Sequence, residues 1–407
     1  MSPTRSAAAA APPAARGARA CAALLLACSS AALSPALAAG CVAPGTWARP
    51  QDGAAETLDP REWFARLAGA RVVLLGEHHD SVEQHRWQLQ VIAGLHALRP
   101  QLVIGLEMLP RRVQPVLDRW VAGGFDSEAE FLRAVDWDEV WRFDAARYQY
   151  LPILHFARMN RVPLLALNVE RTLLKRVGSE GWAAIPPAAR EGVGDPARPA
   201  PAYLERLREA WRQHARSGSN EPDEPAFLRF VDGQLLWDRA MAEALAARAS
   251  RDSDAPLLVA LLGAGHVRDG LGVPYQLDAL GVDGVVKLLT IGPEPCTGLQ
   301  AGTADALFGL AGDGTAGPAP LMLGVVLATA AGTGVRIERV LDGSLADTAG
   351  LQAGDLIRSV AGHPVHNPAE VAARVRPTAP GTWLPVEIER GGRRRAVLVR
   401  VPPEPGE

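Results

Sequence analysis

Long apolar runs, net charge and lysine are what this sequence has least of. Beyond the N-terminal leader, no stretch reaches the roughly twenty apolar residues that a membrane-spanning helix needs. Lysine plus arginine (42) nearly balances aspartate plus glutamate (45), for a net charge of −3. That balance offers no polyanion-binding surface, and nucleic acid is not an expected partner. Lys175 and Lys287 are the only lysines; with abundant alanine and arginine this is a feature of composition and carries no function. Four tyrosines restrict any tyrosine-ligated site to few positions, and four cysteines allow at most two disulfides. There are no internal repeats, and the low-complexity stretches are an alanine-rich leader and one linker.

What is present begins with an export signature. Arg5, Arg16 and Arg19 precede the apolar run Cys21–Leu33, and Ala36-Leu37-Ala38 provides a small-x-small cleavage pattern. Residues 1–38 are therefore expected to be a signal peptide and the mature chain to lie in the periplasm or cell envelope. Cleavage would remove Cys21 and Cys28. Cys41 and Cys296 remain, bracketing one domain, and two such cysteines in an exported protein can form one disulfide. Lipidation is the alternative: Ala38-Ala39-Gly40-Cys41 and Leu25-Leu26-Ala27-Cys28 are both imperfect lipoboxes, and a lipid anchor would be the route to a membrane.

At 407 residues the chain is long enough for two domains. From Arg71 short apolar runs alternate with longer amphipathic ones. Strands are expected at Arg71–Leu75, Leu102–Leu106, Val162–Leu167, Pro256–Leu262 and Gly284–Thr290. Helical spacing of Trp87, Val91, Leu95 and Leu98, opened by a Ser81/Gln84 capping box, fills one interval. Helical runs near Arg111–Trp120, Pro201–Arg216 and Pro225–Arg248 fill others. Continuous apolar strands separated by helices indicate an α/β fold, a parallel sheet covered on both faces. Ligands of such sheets bind beyond the C-terminal strand ends, where His79, Glu107, Asn168 and His266 fall.

His79, Glu107 and His266 could form a two-histidine, one-carboxylate site for a divalent metal with an open position that polarises water. Glu77, two residues before His79, could act as general base or support the histidine. The bland readings stand beside these: His78, His85, His96 and His214 read as caps or satisfied partners, and Glu107 could pair with Arg111 or Arg112.

Val72-Val73-Leu74-Leu75-Gly76-Glu77-His78-His79, Gly105-Leu106-Glu107-Met108-Leu109-Pro110-Arg111-Arg112, Trp237-Asp238-Arg239-Ala240-Met241-Ala242 and Gly263-Ala264-Gly265-His266-Val267 together resemble the ChaN-like family of the haem-binding uptake, Tiki superfamily. The resemblance spans about Cys41–Cys296. It implies an α/β envelope domain associated with haem binding and iron uptake. Wider relatives, the Tiki proteases and erythromycin esterases, are hydrolases using GxxH histidines and a glutamate, which here are His79, His266 and Glu107 with Glu77 adjacent. Haem requires an apolar slot and an axial ligand. Tyr148, Tyr150, His155 and Tyr275 are the candidates, with Met159 stacked on His155 at i, i+4 and Trp137 and Trp141 as slot walls. Each of these also reads as ordinary core.

Residues 297–320 are expected to be a linker, of which Ala311–Pro320 is rich in glycine, proline and alanine. Residues 321–403 resemble a PDZ domain: Gly343-Ser344-Leu345-Ala346-Asp347-Thr348-Ala349-Gly350-Leu351-Gln352-Ala353-Gly354-Asp355-Leu356-Ile357 follows its glycine-aspartate pattern, with Leu345 where proline is usual. The resemblance implies capture of a peptide C-terminus by strand addition, with Leu321, Met322, Leu323, Gly324 and Val325 at the carboxylate loop. Three functions follow: a haem-handling protein with a PDZ partner, a metal-dependent hydrolase or peptidase, and a non-catalytic envelope scaffold. A homo-oligomer is compatible with each.

Overall fold

In the computed structural model, residues 41–403 are described except 141–145, 217–223, 250–251, 253–254, 313–320, 330–333, 377 and 380. The side chains of 138–139, 146–148 and 214–216 are likewise outside the description, so the readings made for Trp141, Tyr148 and His214 are not addressed. The expected signal peptide also lies outside the described residues. The chain from residue 39 onward forms one compact unit.

Eight strands build the first sheet: β1 (Trp47–Gln51), β2 (Ala54–Leu58), β3 (Val72–Glu77), β4 (Leu102–Pro110), β5 (Leu164–Asn168), β6 (Leu257–Gly263), β7 (Val285–Ile291) and β8 (Ala306–Gly309), in the order β2-β1-β8-β7-β3-β6-β4-β5. The five strands expected from apolar runs are β3 to β7, and they pair in parallel. Their side chains explain why: β3, β4, β5 and β6 are buried at every position, as a sheet covered on both faces requires. Two apolar clusters fill its sides, one around Leu75, Ile104 and Trp120 and the other around Leu74, Ala260 and Met241.

The parallel sheet has an antiparallel flank that apolar runs did not reveal. β1 pairs antiparallel with both β2 and β8. The β1–β2 hairpin turns at Asp52-Gly53, with Gly53 at φ +67°, the left-handed conformation glycine adopts without strain. Because β8 also pairs with β7, the sheet continues to Gly309, and the segment expected as linker from residue 297 is part of the domain for that length. Cys41 is disulfide-bonded to Cys296 across 255 residues of chain. Its sulfur is thereby used, and an acyl group on Cys41 would exclude this bond.

Among the described residues no helix is long and apolar enough to cross a membrane. Helix Val82–Leu98 buries Trp87, Val91 and Leu95 as its spacing predicts, whereas Leu98 is exposed at the fraying end. Ser81 caps it, accepting from Gln84 N, but the Gln84 side chain does not complete a capping box; its Oε1 accepts from His78 N at 2.5 Å. Pro152 lies inside helix Ala146–Asn160.

The second sheet contains β9 (Val325–Thr329), β10 (Val335–Val340), β11 (Leu356–Val360), β12 (His363–Pro364), β13 (Trp383–Arg390) and β14 (Arg393–Arg400). Its order is β14-β13-β11-β10-β9, with β12 on β11, all antiparallel, so β9 and β14 are its edges. Helix Pro368–Val375 buries Val371 and Val375 in a core with Ile337, Ile357 and Val386.

Candidate functional site

Glu77 ends β3 beside Gly263, which ends β6. β4 stays in register with β6 as far as Leu106, opposite Leu261, and its register with β5 shifts between Leu106 and Pro110. Glu107 sits at the start of this irregular stretch, where a carboxylate side chain can turn across the strand ends. Glu107 Oε2 accepts from Gly263 N at 2.6 Å, and Asn168 Nδ2 donates to the Glu107 carbonyl at 2.9 Å. Glu107 does not pair with Arg111 or Arg112: Arg111 donates to the Ala240 carbonyl and Arg112 pairs with Glu170.

The geometry brings His79, Glu107 and His266 together. His79 Nε2 stands 3.8 Å, and His266 Nε2 3.7 Å, from the same oxygen, Glu107 Oε1. That oxygen is buried and has no hydrogen-bond partner among the described residues. Each imidazole is held from behind by a buried carboxylate. Glu77 Oε1 lies 2.9 Å from His79 Nδ1, and Asp238 Oδ1 lies 2.7 Å from His266 Nδ1. A tyrosine in turn donates to each carboxylate: Tyr150 to Glu77, and Tyr203 to Asp238 at 2.5 Å. Gln88 Nε2 also donates to Glu77 at 2.6 Å, and the buried His85 lies 3.3 Å from the same carboxylate. Two tyrosine–carboxylate–histidine lines thus converge on one carboxylate oxygen.

Two glycines make this approach possible. A Cβ on Gly263 would stand 3.1 Å from His79 Nε2, and one on Gly272 would meet the His266 carbonyl at 2.6 Å and Asp238 Oδ1 at 2.8 Å. The charge balance follows from the carboxylates. Burial pushes His266 down, but Glu107 and Asp238 outweigh it and raise its pKa to about 9. His79 is raised in the same way, burial being outweighed by Glu77 and Glu107. Burial pushes Glu77 up, but its histidine and tyrosine partners hold it below the ordinary carboxylate value. Burial, reinforced by the Glu77 charge, pushes the Tyr150 phenol well above its ordinary value.

The three residues of the metal reading come together in the fold. The expected ligands converge, but among the described residues no group of three or more His, Cys, Asp or Glu side chains forms a cage that could hold a metal ion. The haem candidates are also redistributed. Tyr150 is fully buried and committed to Glu77. His155 pairs with Glu128 at 2.8 Å, Met159 is exposed, and Trp137 is buried in the core. Tyr275 is half-buried at the start of helix Val273–Ala279, with no hydrogen bond from its hydroxyl to the described residues.

Asp238, Tyr203, Gln88 and His85 belong to the site and were not singled out as site residues. Asp238 carried a signal, a charged residue within the apolar run Leu235-Leu236-Trp237 of helix Glu224–Ala246, where it is fully buried. Gln88 and His85 share the buried face of helix Val82–Leu98 with Gln84, three polar residues where apolar ones are expected.

Among solved structures, the chain is similar to ChaN of Campylobacter jejuni, described with cofacial haem binding, at 18% identity and TM-score 0.50, covering 64% of this chain and 96% of that one. It is also similar to the PDZ domain of HtrA3 bound to a phage-derived ligand, at 23% identity over 19% of this chain and 82% of that one, TM-score 0.18. No curated protein matches. A PDZ domain family matches residues 336–390, in agreement with the antiparallel sheet there. The family described as haem-binding uptake, Tiki superfamily, ChaN matches residues 63–277, more than half of the chain. Strands β3 to β6, the two GxxH turns and Glu107 fall within that match, and the chain belongs to this family.

Proposed function

We propose that this chain is an exported envelope protein that handles haem through its ChaN domain and captures a peptide C-terminus through its PDZ domain. The family match over residues 63–277 carries the haem reading. The Cys41–Cys296 bond supports export, because such bonds persist in oxidising compartments.

Haem as cargo needs a flat apolar surface and an axial donor. The partly buried Trp211, Phe230 and Leu271, packed on the buried cluster of Tyr203 and Phe227, suit the first requirement. Its Trp211 indole N–H is buried without a partner among the described residues and could donate to a bound ligand. Tyr275, four residues after Leu271, fits the second. In the PDZ domain, the N–H groups of Met322, Leu323 and Gly324 donate no hydrogen bond to the described residues, which suits them to a terminal carboxylate. Leu323 itself is buried and anchors the loop, while Val325 and Leu327 face the core cluster from edge strand β9.

The test is a hemin titration of the chain from residue 39 onward, followed by the Soret band. A saturable shift at one haem per chain or per pair of chains is expected, weakened at least about tenfold in Trp211→Ala and altered in band position in Tyr275→Phe. A titration unchanged in both variants, or one that never saturates, would overturn this placement of the cargo.

One observation favours a second reading: two buried carboxylate–imidazole pairs converging on Glu107 Oε1 form an acid–base array suited to hydrolysis. In that reading His79 or His266 moves the proton while Glu77 and Asp238 orient the rings. Ester and peptide turnover lost in both His79→Ala and His266→Ala would support it; turnover indifferent to both would sink it.

A further inference from the structure

The outer face of the β13–β14 hairpin combines features that the peptide groove does not use. Cross-strand register places Trp383 opposite Arg400, Pro385 opposite Leu398, Glu387 opposite Ala396 and Glu389 opposite Arg394. The alternate residues Leu384, Val386 and Ile388 point into the core, so this set points away from it. Trp383 is 59% exposed and Leu398 57% exposed, and Trp383 is the one aromatic among the exposed large apolar side chains described. Arg400 lies over the Trp383 ring at 6.0 Å. Beyond them, past the turn at Gly391-Gly392, both at positive φ, Arg394 shares this face, while Arg393 and Arg395 alternate to the other.

Unpaired arginine outweighs unpaired carboxylate on this face. Glu389 is taken by Arg358 at 2.7 Å, and Glu387 accepts from Ser359 at 2.8 Å. Arg394 and Arg400 on this face form no ion pair with the described residues, and both are exposed. Arginines on an open edge strand such as β14 do guard it against pairing with another sheet. Guarding accounts for the charges but not for a largely exposed tryptophan and leucine beside them. A second copy of the hairpin would set arginines against arginines.

We propose that this face docks on an anionic lipid surface. A flat patch of Trp383, Pro385, Ala396 and Leu398 suits the headgroup boundary, where an indole finds both apolar contact and a hydrogen-bond acceptor. The flanking arginines meet lipid phosphates. The edge strand β9, at the opposite end of the sheet, remains open for a peptide while the hairpin is docked.

Co-sedimentation of the chain from residue 39 onward with vesicles tests this, using phosphatidylcholine alone and phosphatidylcholine with one third phosphatidylglycerol. Binding to the anionic vesicles only, declining with salt, is expected. Each basic residue near an anionic surface contributes about fivefold in affinity. Arg394→Ser with Arg400→Ser should therefore weaken binding about 25-fold, and Trp383→Ser with Leu398→Ser about tenfold or more. Arg61→Ser with Arg66→Ser makes the same charge change on helix Pro60–Ala68 and should retain binding. No binding to anionic vesicles, equal loss in the Arg61/Arg66 control, or retention in both hairpin variants would overturn the proposal. Capture of an acidic peptide by the arginines without vesicle binding would do so too, in favour of a protein partner.

Discussion

Asp238→Asn tests the electrostatics of the site most directly. The substitution keeps the shape and the Tyr203 contact but removes the charge 2.7 Å from His266 Nδ1. A rise of the His266 pKa from 6.5 to about 9 is worth about 3 kcal/mol of preference for charged imidazole, at about 1.4 kcal/mol per tenfold. With a folded-state pKa above the unfolded one, that stability is fully present below pH 6.5 and is lost as pH rises through 9. Asp238 supplies part of it, Glu107 the remainder. A hydrogen bond to a charged group contributes about 1.5–3 kcal/mol. The variant should therefore be less stable by about that much near pH 6, and by about 1 kcal/mol or less near pH 9.5, where the ring is mostly neutral in both proteins. Urea unfolding followed by tryptophan fluorescence reads the first domain, since every tryptophan except Trp383 precedes residue 300. Proton NMR should show the His266 pKa lowered in the variant. A stability difference constant from pH 6 to 9.5, or an unmoved His266 titration, would refute the reasoning.

Gly272→Ala should cost about 1–3 kcal/mol and displace His266, because its Cβ would collide with the His266 carbonyl and Asp238 Oδ1. Urea unfolding and the His266 resonance check this together; unchanged stability and an unchanged resonance would show that the turn relaxes freely. Replacing Cys41 and Cys296 with serine should lower stability by about 2–5 kcal/mol, since the bond closes a loop of 255 residues. An equal urea midpoint with and without reductant in the unaltered chain would contradict it.

The five parallel strands were legible because each is a continuous apolar run, the pattern a doubly covered strand demands. The GxxH turns and the PDZ signature were legible because glycine spacing is a local property of chain geometry. β1, β2 and β8 were not, because their exposed or short segments carry no such run.

Sequence by itself therefore determined the fold class and the positions of His79, Glu107 and His266 at strand ends, all consequences of local periodicity. Only the tertiary structure decided what those residues face. It brought Asp238, 28 residues from His266 along the chain, and Tyr150, 73 residues from Glu77, into hydrogen-bond reach. It also broke register after Leu106 so that Glu107 meets both imidazoles. A buried carboxylate's partner is set by which elements pack together, and long-range packing leaves no period in the sequence.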